Sequence, residues 1–182
     1  EGTGGNFSVV VQRDPLHLLM APSGVNKGQV EPAQLVIVDE QQKVIQGQGR
    51  ASAETTLHVE IITTLQCRAV LHTHSVESTV LSDHCAKQAT IRLEGWEMLK
   101  GLKGITTHDT SIDIPIVANN QNMRELSQSI RPYLNTNAPG ILVAGHGLYT
   151  WGDSLAEAQR HVEILEFLFS TVLQKKLLQL SQ

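Results

Sequence analysis

The chain has 182 residues, 41% of them hydrophobic and 18% charged, with a formal net charge of −4. That composition excludes a disordered polymer, and the length is enough to bury a core as one domain over residues 1–182. The acidic balance excludes a general nucleic-acid surface, and no apolar run reaches the length of a membrane span. An anionic small molecule would therefore need a local positive site rather than help from the whole molecule. Cys67 and Cys85 lack metal-type spacing and suit a reducing cytoplasm, so a cytoplasmic protein is expected, with Cys67 in the core.

The opening EGTGGNFS begins on a Gly-rich loop with no element before it, and a further N-terminal segment, a helix, is expected ahead of it. NFSVVVQ, LHLLMA and AQLVIVDE read as strands separated by Pro and Gly signals at Pro15, Pro22-Ser23-Gly24 and Gly28. A helix is expected over about residues 54–65, with Leu57, Ile61, Ile62 and Leu65 on one face. AVLHTHS is the next strand, followed by a short helical stretch. EGWEMLKGL reads as a helix broken by Gly101 and Gly104, IDIPIVA as a strand, and NMRELSQSIRPYL as a helix capped near Asn119 or Asn120. GILVAGHGLYTWG is a strand running into a second strand or turn. The last helix opens on a capping box of Ser154 and Glu157 and carries Val162, Leu165, Phe169, Val172 and Leu173 at helical spacing. The fold class is α/β, with a central mixed, largely antiparallel sheet flanked by helices, because the early connections are too short for parallel crossovers.

His72 and His74 stand two apart on the AVLHTHS strand, so their side chains leave the same face, roughly 7 Å apart at the backbone. Alone, the pair reads equally as hydrogen-bonded polar residues at a strand end or as two ligands of one metal ion. His146 lies between Gly145 and Gly147 at the end of another aliphatic strand, where small neighbours permit close approach. Three imidazoles on strand ends match a catalytic zinc site with an open position. His17, His58, His84, His108 and His161 lack paired spacing and are read as structural or surface residues.

Two carboxylates stand out. Glu54 opens a helix, where the dipole favours a negative charge and can be its whole purpose. Glu97 lies among apolar residues, so burial is expected to raise its pKa. The loops GTGGNFS and APSGVNKG offer backbone N–H groups, hydroxyls and Lys27, a chemistry suited to phosphate. Neither is a Walker A loop or a dinucleotide fingerprint.

The ordered set of TGGN, PSG, a helix opening with Ser-Ala-Glu, HTH and a late GHG resembles the class II aldolase/adducin family over nearly the whole chain. Within it, SGVNKG, SAETTLH, VLHTHS, EGWEMLKG and GHGLYTWG are most similar to the branch that dehydrates a 1-phosphorylated ketose. The resemblance implies one zinc ion per subunit held by His72, His74 and His146. It also implies a phosphate site at Thr3, Gly5, Asn6, Ser23, Gly24 and Ser52, with Lys27 as a phosphate or substrate partner. Ala53 departs from the paired serines of some aldolases. Glu54 falls on the aldolase acid/base position, and Glu97 on the glutamate that serves the dehydratases as general acid/base. The expected partners are the phosphorylated ketose and three further copies of the chain, in a homotetramer whose sites lie at subunit boundaries, with no nucleic acid and no membrane. The alternatives are a retro-aldol enzyme acting on a phosphorylated deoxy sugar, a C4 epimerase, or a non-catalytic adducin-like interaction domain.

Overall fold

A computed structural model describes residues 4–180. Nine strands form one sheet among the described residues, in the order β4-β3-β2-β1-β5-β9-β8-β7-β6. The early strands are β1 (Asn6–Arg13), β2 (Leu16–Met20), β3 (Val36–Asp39) and β4 (Val44–Gln46). They form an antiparallel meander, as their short Pro- and Gly-marked connections require. β1 then pairs with β5 (Ala69–Thr73), which carries the H-x-H pair to the middle of the sheet.

β6 (Thr90–Glu94), β7 (Ser111–Val117), β8 (Gly140–Val143) and β9 (Gly147–Gly152) complete the sheet. β7 and β8 are the parallel pair among the described strands, and the helix α3 (Met123–Leu134) makes the crossover between them. The sheet is therefore mixed and largely antiparallel. Two strands departed from the reading of the sequence. β6 was not anticipated, although Ile91 and Leu93 alternate with Arg92 and Glu94 as a half-buried strand should. β4 is three residues long and too short for any periodic signal.

Alternation along the strands divides the core. One face packs α1 (Thr55–Leu65) and α3 against Val70, Ile141, Val143 and Tyr149. The other packs the long helix α4 (Leu155–Leu180) and α2 (Val76–His84) against Leu142 and Leu148. Leu165 and Phe169 of α4 are fully buried there, each contributing on the order of 1.5–3 kcal/mol. The cap of α3 is Asn122, not Asn119 or Asn120: its side chain accepts from the N–H groups of Arg124 and Glu125. Ser154 does cap α4, accepting from Glu157 N–H at 3.1 Å, while the Glu157 carboxylate returns to Asp153 N–H rather than to Ser154.

EGWEMLKGL forms a short 3-10 helix over Glu97–Gly101, not an α-helix. A Cβ at Gly101 would lie 2.3 Å from Ile164 Cδ1, so the glycine lets this turn close on α4. Leu99 and Leu102 face the core and leave Glu97 on the solvent side. No described helix is long and apolar enough to cross a membrane.

Candidate metal centre

The C-terminal end of β5 delivers His72 and His74 to the α1 side of the sheet, and the β8–β9 turn brings His146 over them. His74 Nε2 lies 2.8 Å from His72 Nε2, which lies 3.3 Å from His146 Nε2. Glu54 joins them: its Oε1 is 3.2 Å from His146 Nε2 and 3.5 Å from His72 Nε2. One ligand atom from each of the four residues falls within 4.8 Å of all the others.

The backbone makes this convergence possible. A Cβ at Gly147 would sit 2.2 Å from the carbonyl oxygen of Thr73, and one at Gly5 2.6 Å from that of His72. Gly5 also has φ +78, a conformation that favours glycine. These two glycines let β1 and β9 close on both sides of the H-x-H strand.

The chemistry of the donors fits a divalent metal ion. His72 Nδ1 donates to the carbonyl of Leu148 at 2.9 Å, which orients the ring and aims Nε2 into the cluster. Burial and the neighbouring imidazoles hold the His74 pKa down to about 4, so that ring is neutral at neutral pH. Three facing ring nitrogens cannot satisfy one another with the few protons available. Imidazoles bound to one tetrahedral ion at about 2.0–2.1 Å would hold their nitrogens roughly 3.4 Å apart, close to the spacings seen.

Glu54 makes no capping bond at the start of α1, so its side chain is not there for the helix. Burial pushes its pKa up, but hydrogen bonds to His146 and His72 outweigh that and hold it well below the usual carboxylate range. Its other oxygen accepts from Asn6 Nδ2. Of the loops read as a phosphate cradle, Asn6 bonds this carboxylate and Lys27 feels its charge. Ser52 Oγ accepts from Glu54 N–H at 3.3 Å, and Ser23 N–H donates to Arg50 O at 2.8 Å. Lys27 Nζ donates to the carbonyls of Pro22 and Val25 at 3.1 and 3.2 Å. Burial lowers the Lys27 pKa while the Glu54 charge acts to raise it. Ser23 and Gly24 are exposed, and Thr3 lies outside the described residues.

Glu97 is where the expectation fails. It is exposed and bonded to Lys100, with His108 at 3.5 Å, and the Lys100 hydrogen bond lowers its pKa rather than burial raising it. Its 3-10 helix follows β6, four strands from β5 in the sheet. That separation is roughly 19 Å at the spacing of neighbouring strands.

Two residues of the site were not anticipated. Tyr149, fully buried, stacks on His72 with ring centroids 3.9 Å apart, and burial and the Glu54 charge raise its pKa well above 10. Its position opposite His72 in β9 was the available signal, but it needed the strand register. Behind β5, Glu166 of α4 accepts from Thr73 Oγ1 at 3.0 Å and Ser75 Oγ at 2.5 Å. Nothing in its helical sequence context marks it. Of the histidines set aside, His58 and His161 are buried and His108 exposed, in keeping with structural or surface roles.

The model of the Class II Aldolase and Adducin N-terminal domain matches residues 1–173. The chain belongs to that family. Among curated relatives, the methylthioribulose-1-phosphate dehydratase of Marinobacter nauticus is 38% identical, over 94% of this chain and 83% of its own length. The protein of the same name from Stenotrophomonas maltophilia is 41% identical, over 92% of this chain and 78% of its own. Among solved structures, L-fuculose-1-phosphate aldolase from Thermus thermophilus superposes with a TM-score of 0.77 at 26% identity, covering 98% of this chain and 87% of the aldolase. The fold is thus that of a class II aldolase, the His/Glu cluster is suited to a divalent metal, and a phosphorylated, sugar-like substrate accords with the family.

Proposed function

We propose that the chain is a zinc-dependent hydro-lyase that removes water from 5-methylthioribulose 1-phosphate to give 2,3-diketo-5-methylthiopentyl 1-phosphate, a step of methionine salvage. What carries this reading is the match to dehydratases of that name at about 40% identity over more than nine-tenths of the chain. His72, His74 and His146 would hold one zinc ion per subunit, since three imidazoles with an open position suit zinc. Bound there, the ion would act as a Lewis acid on the substrate's carbonyl and adjacent hydroxyl.

The chain's own residues have three tasks. Thr3, Gly5, Asn6, Ser23, Gly24 and Ser52, with Lys27, would anchor the phosphate through backbone N–H groups, hydroxyls and the ammonium. A carboxylate must remove the C3 proton, and a protonated acid must assist the C4 hydroxyl as it leaves as water. The enol so formed tautomerises to the diketone. Glu97 is assigned the main proton transfers, with Glu54 assisting and positioning beside the ion.

Glu97 lies far from the cluster of its own chain, so this assignment requires the carboxylate to arrive from a neighbouring copy. His74, exposed at the cluster's rim, leaves that side open to one. A homotetramer with sites at subunit boundaries is the arrangement that meets this need.

The placement of Glu54 favours a second reading. It is the carboxylate at the cluster, and a retro-aldol enzyme would use that position for its proton transfers. Chelation bears on either chemistry: turnover of methylthioribulose 1-phosphate should vanish on metal removal and return with zinc. Turnover that persists in metal-free protein would overturn the proposal.

A further inference from the structure

We propose that Glu166 is a positioning residue of the metal centre, acting from the back of the sheet through Thr73 and Ser75. The inference rests on the reading of the three histidines as metal ligands. His72 lies opposite Tyr149, on the α1 side, whereas Thr73 lies opposite Leu148, on the α4 side. The H-x-H strand end thus sends ligands forward and hydroxyls backward. Both hydroxyls, the immediate neighbours of His74 in sequence, donate to the two oxygens of one carboxylate, at 3.0 Å from Thr73 and 2.5 Å from Ser75.

Stability does not call for a carboxylate at this position. The surrounding positions of α4 that face the sheet, Leu165, Leu168 and Phe169, are fully buried hydrophobics. A half-buried carboxylate among them is costly unless its bonds are needed. What these bonds accomplish is specific. β5 ends at Thr73, and the segment carrying His74 has left the sheet, so the ladder no longer fixes its backbone. A two-point grip on residues 73 and 75 fixes it instead. Ser75 also caps α2, accepting from Ser78 N–H at 2.9 Å, so the same grip joins the ligand segment to α2. Outer partners of this kind commonly change metal affinity about 10–100-fold.

The test uses Glu166→Met, similar in size but without an acceptor, beside Glu166→Gln and Thr73→Val. Zinc affinity is read by chelator competition, and ligand geometry by the visible spectrum of the cobalt(II) form. Glu166→Met should weaken zinc binding at least about 10-fold and alter the cobalt spectrum, with no fall in the thermal midpoint of metal-free protein. Glu166→Gln, which retains one carbonyl oxygen, should fall between it and wild type. Wild-type affinity and spectrum in Glu166→Met would overturn the inference, whatever the thermal midpoint. Should that variant fail to fold, Thr73→Val decides: weaker zinc binding supports the grip, and unchanged binding refutes it. Wild-type protein that binds no metal would instead refute the metal reading itself.

Discussion

His74 is the most exposed of the three imidazoles, yet its Nε2 is within 2.8 Å of that of His72. Replacing it by Ala removes one of the three imidazoles proposed to hold the ion. Metal analysis of His74→Ala should show most of the zinc lost, with activity falling in parallel, and full occupancy with normal turnover would contradict the ligand assignment. The two glutamates separate differently. Glu97→Gln should keep its metal but lose roughly 10²–10⁴-fold in kcat, with KM little changed, because an amide cannot move protons. Glu54→Gln should reduce metal content as well as kcat, since Glu54 lies among the ligands. Steady-state kinetics with zinc analysis of both variants distinguishes these outcomes. The histidines were legible because strand alternation places both members of H-x-H on one face. The burial expected of Glu97 was not met, because apolar sequence neighbours do not determine which side of a 3-10 turn a residue takes. Leu99 and Leu102 take the core side and leave it in water.

At the scale of elements, the central strands and the helices behind them were readable from period and punctuation, whereas their lateral order was not. Nothing local in NFSVVVQ says that β1 will lie beside β5, yet that pairing brings Asn6 to His72 and Glu54. Gly147 shows how closely these elements fit. Gly147→Ala would press a methyl group onto the Thr73 carbonyl, so a loss of roughly 1–3 kcal/mol is expected, together with weaker metal binding. Urea unfolding with zinc titration checks both. α1 contributes a buried histidine, His58, whose Nδ1 is 2.8 Å from Ser8 Oγ. Burial first, then the nearby His72, hold its pKa down to about 3. The unfolded chain takes up this proton below about 6.5 and the folded chain does not, so stability falls as pH drops from there towards 3. Metal-free wild type should lose about 1 kcal/mol more than His58→Gln between pH 7.5 and 5.5. Equal losses in denaturant unfolding would remove His58 as the cause.

On the scale of the whole molecule, the sheet keeps Glu97 and the metal cluster apart, so the proposed chemistry needs more than one copy. Mixed oligomers of His74→Ala and Glu97→Gln chains should therefore regain activity that neither has alone, because some sites would pair an intact cluster with an intact Glu97. No recovery in verified hybrids would place both functions on one chain. Light scattering should report a tetramer at assay concentrations. The most direct test of the central claim is the mass of the product when purified enzyme is offered methylthioribulose 1-phosphate and, separately, fuculose 1-phosphate. The account predicts loss of one water from the first, with the carbon chain intact, and little reaction with the second. Cleavage of fuculose 1-phosphate between C3 and C4, with methylthioribulose 1-phosphate left unchanged, would contradict it and assign the site to aldol chemistry.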